Sequence, residues 1–417
     1  MLCGIYADKG TPDWPASDLN DELFSLTYSQ NNPFGDPGSM REKYRDMSYG
    51  TFDLQGGVFG WFRCLSPARS TTATTTASAS TAPPARPAPS SATPCRPPTA
   101  PSTSVPTTTT VPTACPTRAT TTATSTWSCS CTRTRAASAA AATSGRTPST
   151  TRAGRRTGKP FVTDDLGANG QPLKVDDYVI MPAVACGGAR RIETGVFAHE
   201  FGHALGLPDL YDRTAVDAQG LGLVSSGGMG LYCLMAAGSY GGDYDHPAYS
   251  VNMCAWSKEQ LGWITPREVT CDEPATLYFQ GDAPEALKLW RGGDYSGKEH
   301  FLVESRQQKK WDQYLLGNGF LITHVDDGVL TQNDEPCPGG NPCLSGHYQV
   351  GVVEADNQWE MQTAAAPLMG PWFGESEDFF SAAGNDSLTD LTGPSSRATT
   401  DRSPACGSRG SARAARR

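Results

Sequence analysis

The chain has 417 residues, enough for two or three domains with a real core, a net charge of -9 and a pI near 5.2. That charge argues against nucleic acid or an anionic membrane as the main partner, and no apolar run approaches the roughly 18 residues that cross a bilayer. The hydrophobic fraction, 38%, falls below a globular average, and the deficit is local rather than spread out.

Residues 1–65 read as the N-terminal part of a folded domain. Met1-Leu-Cys-Gly-Ile-Tyr-Ala-Asp8 has the pattern of a short strand ending in a turn, not of a signal peptide, so the true start is expected to be missing. Met40, Tyr44 and Met47 recur at helical spacing. Thr51-Phe-Asp-Leu and Gly57-Val-Phe-Gly-Trp-Phe62 suggest two strands, with their apolar residues in the core.

Residues 66–158 change character abruptly: Thr, Ala, Ser, Pro and Arg dominate, with no Leu, Ile, Met, Phe, Tyr, Asp, Glu, Asn, Gln, His or Lys. As written, the segment cannot bury apolar surface and is expected to be unstructured, like a Ser/Thr/Pro stalk. A stalk inside a folded domain is odd, and the segment also reads as a frame-shifted translation. One base out of register, Thr122-Ala-Thr-Ser-Thr-Trp-Ser-Cys-Ser-Cys-Thr132 permits D-G-Y-V-D-L-V-M-F-M-H, a polar turn followed by a buried strand and a histidine. The Thr107 to Thr110 run permits an Asp/Asn-rich turn of the calcium-binding kind. The tail, 397–417, has the same flavour.

Folded character resumes at residue 159. Asp177 to Val184 reads as a strand leading into Ile192-Glu-Thr-Gly-Val-Phe-Ala-His-Glu-Phe-Gly-His-Ala-Leu-Gly-Leu-Pro-Asp209. Residues four apart on a helix lie one above the other, so His199 and His203 can offer two imidazoles to one metal ion, with Glu200 beside the open position. Gly206 can take the left-handed conformation that ends a helix and swing Asp209 back toward the same ion. HExxH alone is a weak pattern, whereas HExxHxxGxxD on a helix with apolar faces is specific. Glu259, on a later helix, is a rival third ligand that spacing does not exclude. Residues 247–263 suggest that helix, and residues 159–265 together form the expected metal-binding core.

Residues 266–396 read as a β-rich module, with strands at 275–279, 286–290, 300–305, 319–325 and 348–354. His324 ends an apolar strand and reads as a structural histidine, and Gly374-Glu-Ser-Glu-Asp378 as a solvated acidic loop able to hold calcium. Thirteen cysteines, with Cys337 and Cys343 placed to close a tight loop, suggest paired thiols and an oxidising compartment.

The extended metal motif through Asp212, Leu234-Met-Ala-Ala-Gly-Ser, Trp256-Ser-Lys-Glu-Gln-Leu-Gly-Trp263, His300-Phe-Leu-Val-Glu-Ser-Arg and Gly319 to Asp326 together resemble the immune inhibitor A (M6) group of secreted bacterial metallopeptidases. Arg41 to Gly50 also fits that group, and the resemblance covers about three-quarters of the chain. It implies an α+β fold: a metzincin-like zinc peptidase domain, with a mixed sheet and an active-site helix, followed by the β-rich module. It further implies zinc held by His199, His203 and Asp209, Glu200 as general base, often structural calcium, protein or peptide substrates, and action outside the cell. Met235 resembles the methionine of a turn beneath the metal, and a gap-filling core role is equally compatible. The competing expectation is an impaired, pseudogene-like chain that keeps the zinc helix and acts at most as a binding module.

Overall fold

The structure is a computed structural model. It describes residues 1–5, 14–31, 36–63, 128–135, 161–175, 178–184, 191–211, 215–216, 222–223, 227–244, 246–269, 275–290, 298–328, 348–362, 373–389 and 392–396. Helices and sheets are both present, giving an α+β chain.

Strand β1 (Leu2–Ile5) is followed by helices α1 (Ala16–Phe24), α2 (Tyr28–Asn31) and α3 (Met40–Met47). Ser39 accepts from the Glu42 amide while Glu42 accepts from the Ser39 amide, a capping box that starts α3, and Met40, Tyr44 and Met47 are buried as their spacing predicts. The helix closes through Tyr49 and Gly50, both at positive φ. The Ser48 hydroxyl then takes the Phe52 amide, and Thr51 to Leu54 runs as irregular chain instead of the expected strand. β2 (Phe59–Arg63) does form, but Phe59 is 61% exposed and lies outside the core assigned to it.

β1, β2, β3 (Ser128–Arg135) and β6 (Tyr178–Val184) make one sheet in the order β2-β1-β3-β6, and every pairing in it is parallel. The expected mixed sheet is therefore parallel among the described residues; β4 (Phe161–Leu166) and β5 (Pro172–Val175) form a separate antiparallel pair. β3 also corrects the expectation that all of 66–158 is unstructured, because the backbone of Ser128–Arg135 fills an interior position of the sheet. Its register pairs the backbone of Cys129 with Val179 and of Cys131 with Met181 and Cys3, and Val179, Met181 and Cys3 are buried.

Helix α4 (Thr194–Ala204) packs on β6 and on the short 3₁₀ turns Ala237–Tyr240 and Pro247–Tyr249. A Cβ on Gly195 would lie 2.1 Å from the Ser239 carbonyl oxygen, a backbone atom that cannot swing aside. Gly195→Ala is therefore expected to cost about 1–3 kcal/mol net, despite a helix-propensity gain of about 1 kcal/mol, as read by thermal unfolding.

The pair β7 (Ala215–Val216) and β8 (Gly222–Leu223) precedes helix α5 (Ala255–Gln260). The expected helix at 247–263 is shorter than predicted because residues 250–252 spend their backbone groups elsewhere. Buried Lys43 donates to the carbonyls of Ser250 and Val251, the Val251 amide reaches Gly238, and the Asn252 amide reaches Asp312. Strands β9 (Arg267–Val269), β10 (Leu287–Trp290), β11 (Glu299–Arg306), β12 (Gly319–Asp326) and β13 (Val350–Val352) form a second sheet, antiparallel except for β9 with β10. Of the strand expected at 275–279, only a bridge from Phe279 to Ser305 exists.

One hydrophobic cluster runs through both sheets, from Cys3 and Tyr44 through Phe197, Leu234 and Met235 to Leu302, Leu321 and Val350. Arg306, fully buried, donates to Asp312 and to the Tyr232 carbonyl, which ties β11 to the segment beneath α4. Cys3, Cys233 and Cys254 are buried thiols outside any disulfide, while Cys337 and Cys343, expected to close a loop, lie outside the described residues. No helix among the described residues is long and apolar enough to cross a membrane.

Candidate metal centre

The end of α4 builds the site. The Leu207 amide donates to Gly202 O and the Gly206 amide to His203 O, with Gly206 at φ 99°, so the helix stops in a Schellman turn. The turn reverses the chain, and backbone hydrogen bonds from Leu210 to Met235 and from Met229 to Leu210 anchor the segment beyond it. Asp209 is thereby delivered next to both histidines.

His199 Nε2 lies 3.0 Å and His203 Nε2 3.2 Å from Asp209 Oδ1, and the imidazole planes stand perpendicular with centroids 4.8 Å apart. All three side chains are buried. Each histidine donates from its other ring nitrogen to a backbone carbonyl: His199 Nδ1 to Leu234 at 2.7 Å, His203 Nδ1 to Leu207 at 2.8 Å. Those bonds fix the rings and leave both Nε2 atoms aimed at one point, the arrangement typical of metal-binding histidines.

The electrostatics are those of a carboxylate held between two imidazoles. Burial opposes the charged form of Asp209, but hydrogen bonds from His199 and His203 outweigh it and hold the carboxyl well below its usual range. Burial likewise disfavours charge on His203, yet the Asp209 hydrogen bond, the Asp209 charge and Glu200 lift it to about 9. A tetrahedral ion with bonds of about 2.0–2.1 Å separates its ligand atoms by about 3.3 Å, so the observed 3.0 and 3.2 Å need to open by only a few tenths of an ångström. Two imidazoles with one carboxylate are a donor set suited to zinc, and the residues fit that ion.

Glu200 follows His199 on α4, is half-buried, and its charge reaches His203. Met235 is buried beneath the helix: a Cβ on Gly202 would fall 2.4 Å from its sulfur, so it both fills the core and underlies the histidines. Glu259 does not join the cluster, since it forms an ion pair with Lys288. His324 is also elsewhere, 3.5 Å from Glu299. The carbonyls of Leu207 and Leu234 are part of the site that residue types could not reveal, because any residue supplies a carbonyl.

Residues 148–264 match the family described as immune inhibitor A peptidase M6, catalytic domain. No curated protein matches the chain. The matched segment contains α4, the Schellman turn, Asp209, Met235 and α5.

Proposed function

From a segment that carries the catalytic-domain sequence of the M6 metallopeptidases, we propose that the chain is a secreted zinc-dependent endopeptidase acting on protein or peptide substrates. The observation that carries the reading is the convergence of His199 Nε2, His203 Nε2 and Asp209 Oδ1 one residue from Glu200. In it, His199, His203 and Asp209 hold the zinc. When bound, zinc polarises a carbonyl and lowers the pKa of water toward about 7.

Glu200 takes the proton from the attacking water and returns it to the leaving amine, which a carboxylate can do near neutral pH once the water is acidified. The Leu207 and Leu234 carbonyls keep both imidazoles in the tautomer that presents Nε2. Binding the ion then requires the Nε2 atoms to give up their protons and the three ligand atoms to move apart by a few tenths of an ångström.

Zinc content and casein hydrolysis of the purified chain test the reading together. About one tightly held zinc per chain is expected, with Asp209→Ala weakening retention against a chelator about tenfold or more, in line with a lost carboxylate ligand. Zinc held without hydrolysis would leave only the non-catalytic binding module, and zinc held equally well by Asp209→Ala would remove Asp209 from the ligand set.

A further inference from the structure

Helix α3 lies outside the matched segment, yet two of its adjacent side chains reach the groups that back the metal centre. The Tyr44 hydroxyl donates to the Ala198 carbonyl on α4 at 2.7 Å, and both residues are sealed from solvent. Ala198 directly precedes His199. The Tyr44 ring stands nearly perpendicular to that of Phe201, which lies between the two histidines in sequence, with centroids 5.3 Å apart.

Lys43 works on the other anchor of the same histidine. Its ammonium donates to the Ser250 and Val251 carbonyls, the latter at 3.0 Å, and so fixes the stretch 250–252. The Asn252 carbonyl in that stretch accepts the Leu234 amide at 3.1 Å, and the Leu234 carbonyl holds His199 Nδ1. Contacts therefore run unbroken from Lys43 to the His199 ring. Lys43 is fully buried, 4.4 Å from the centroid of the Trp311 ring. Burial pushes its ammonium down to about 7 despite the nearby Asp312 charge. An apolar side chain of similar length would fill the space without that desolvation, but it could not hold two carbonyls in place.

We propose that Lys43 and Tyr44 are positioning residues of the metal centre, fixing the ring of His199 through Leu234 and its backbone through Ala198. Neither supplies a ligand atom. The proposal rests on the peptidase reading only for the identity of the ion. His203 is anchored differently, because the Leu207 carbonyl that holds its ring belongs to the terminator of α4 itself. Helix α3 should therefore steady one imidazole and not the other.

Heteronuclear NMR of the metal-free full chain, with isotope-labelled histidine, tests the assignment, since the Nδ1 protons of His199 and His203 report on the two anchors. His199→Gln and His203→Gln assign the signals. Lys43→Met is expected to speed solvent exchange of the His199 proton about tenfold or more and to leave the His203 proton within about twofold of the parent. Tyr44→Phe keeps the aromatic packing and should speed the same proton by a smaller factor; it carries the test alone should Lys43→Met not fold. Release of zinc to a chelator, about tenfold faster in Lys43→Met, is the second readout. Ile322→Val, in the separate cluster of the second sheet, removes a buried methylene and controls for lost stability alone.

A His199 proton unaltered by both substitutions would overturn the positioning role, and an effect of one alone would confine the role to that residue. Equal acceleration at His199 and His203, or the same acceleration in Ile322→Val, would overturn it as well, since a general loosening of the fold moves all of these together. So would the lack of a protected His199 proton in the parent. A parent that binds no zinc would sink the peptidase reading, and proton exchange in the metal-free chain would still decide on Lys43 and Tyr44.

Discussion

Glu200→Gln is expected to lower kcat/KM for peptide hydrolysis about 10²–10⁴-fold while zinc content stays at that of the parent. The change keeps size and hydrogen-bonding reach but removes the only charge at that position able to accept a proton. Because Glu200 is not among the three converging ligand atoms, the metal should be retained. A variant that loses zinc along with activity would assign Glu200 to holding the ion. One that keeps full activity would place the base elsewhere. Since the Glu200 charge also reaches His203, the variant should hold a proton on His203 less firmly when metal is absent.

Replacing the polar β3 sequence with its alternative reading should have the other large effect. Ser128→Val, Cys129→Met, Ser130→Phe and Cys131→Met together are expected to stabilise the chain by several kcal/mol, at about 1.5–3 kcal/mol for each side chain fully buried. That figure is an upper range, because unfolded chains already bury part of this surface. Interior strands of parallel sheets are covered on both faces and normally read as apolar runs. Ser128–Arg135 lies between β1 and β6, yet its sequence is Ser-Cys-Ser-Cys-Thr-Arg-Thr-Arg. Positions 129 and 131 lie beside Val179, Met181 and Cys3, all buried. In thermal unfolding, the four-fold variant should melt on the order of 10 °C or more above the parent. An unchanged or lowered midpoint would remove the alternative reading of this stretch.

Where residue spacing alone fixes geometry, the sequence was informative. The four-residue step from His199 to His203 can place two rings on one face only if the segment is helical, and Gly206 could end that helix only by a left-handed turn. The capping box at Ser39 and the apolar repeat of Met40, Tyr44 and Met47 were legible for the same reason: each is a contact between residues three to four apart. Thr51 to Leu54 failed because a β-like composition was outweighed by the Ser48 hydroxyl capturing the Phe52 amide. Residues 250–252 failed because Lys43, some two hundred positions earlier, claims their carbonyls.

By itself, then, the sequence determined the helix over 194–204, its terminator and the placing of His199, Glu200 and His203 on it, since all are set by local backbone geometry. The tertiary structure decided what depends on distant partners. It brought Asp209 and not Glu259 to the histidines, because Lys288 holds Glu259 in an ion pair. It also supplied the Leu207 and Leu234 carbonyls that orient the rings. Carbonyls carry no residue signature, and the encounter of residues far apart in the chain is dictated by packing, which no local pattern encodes.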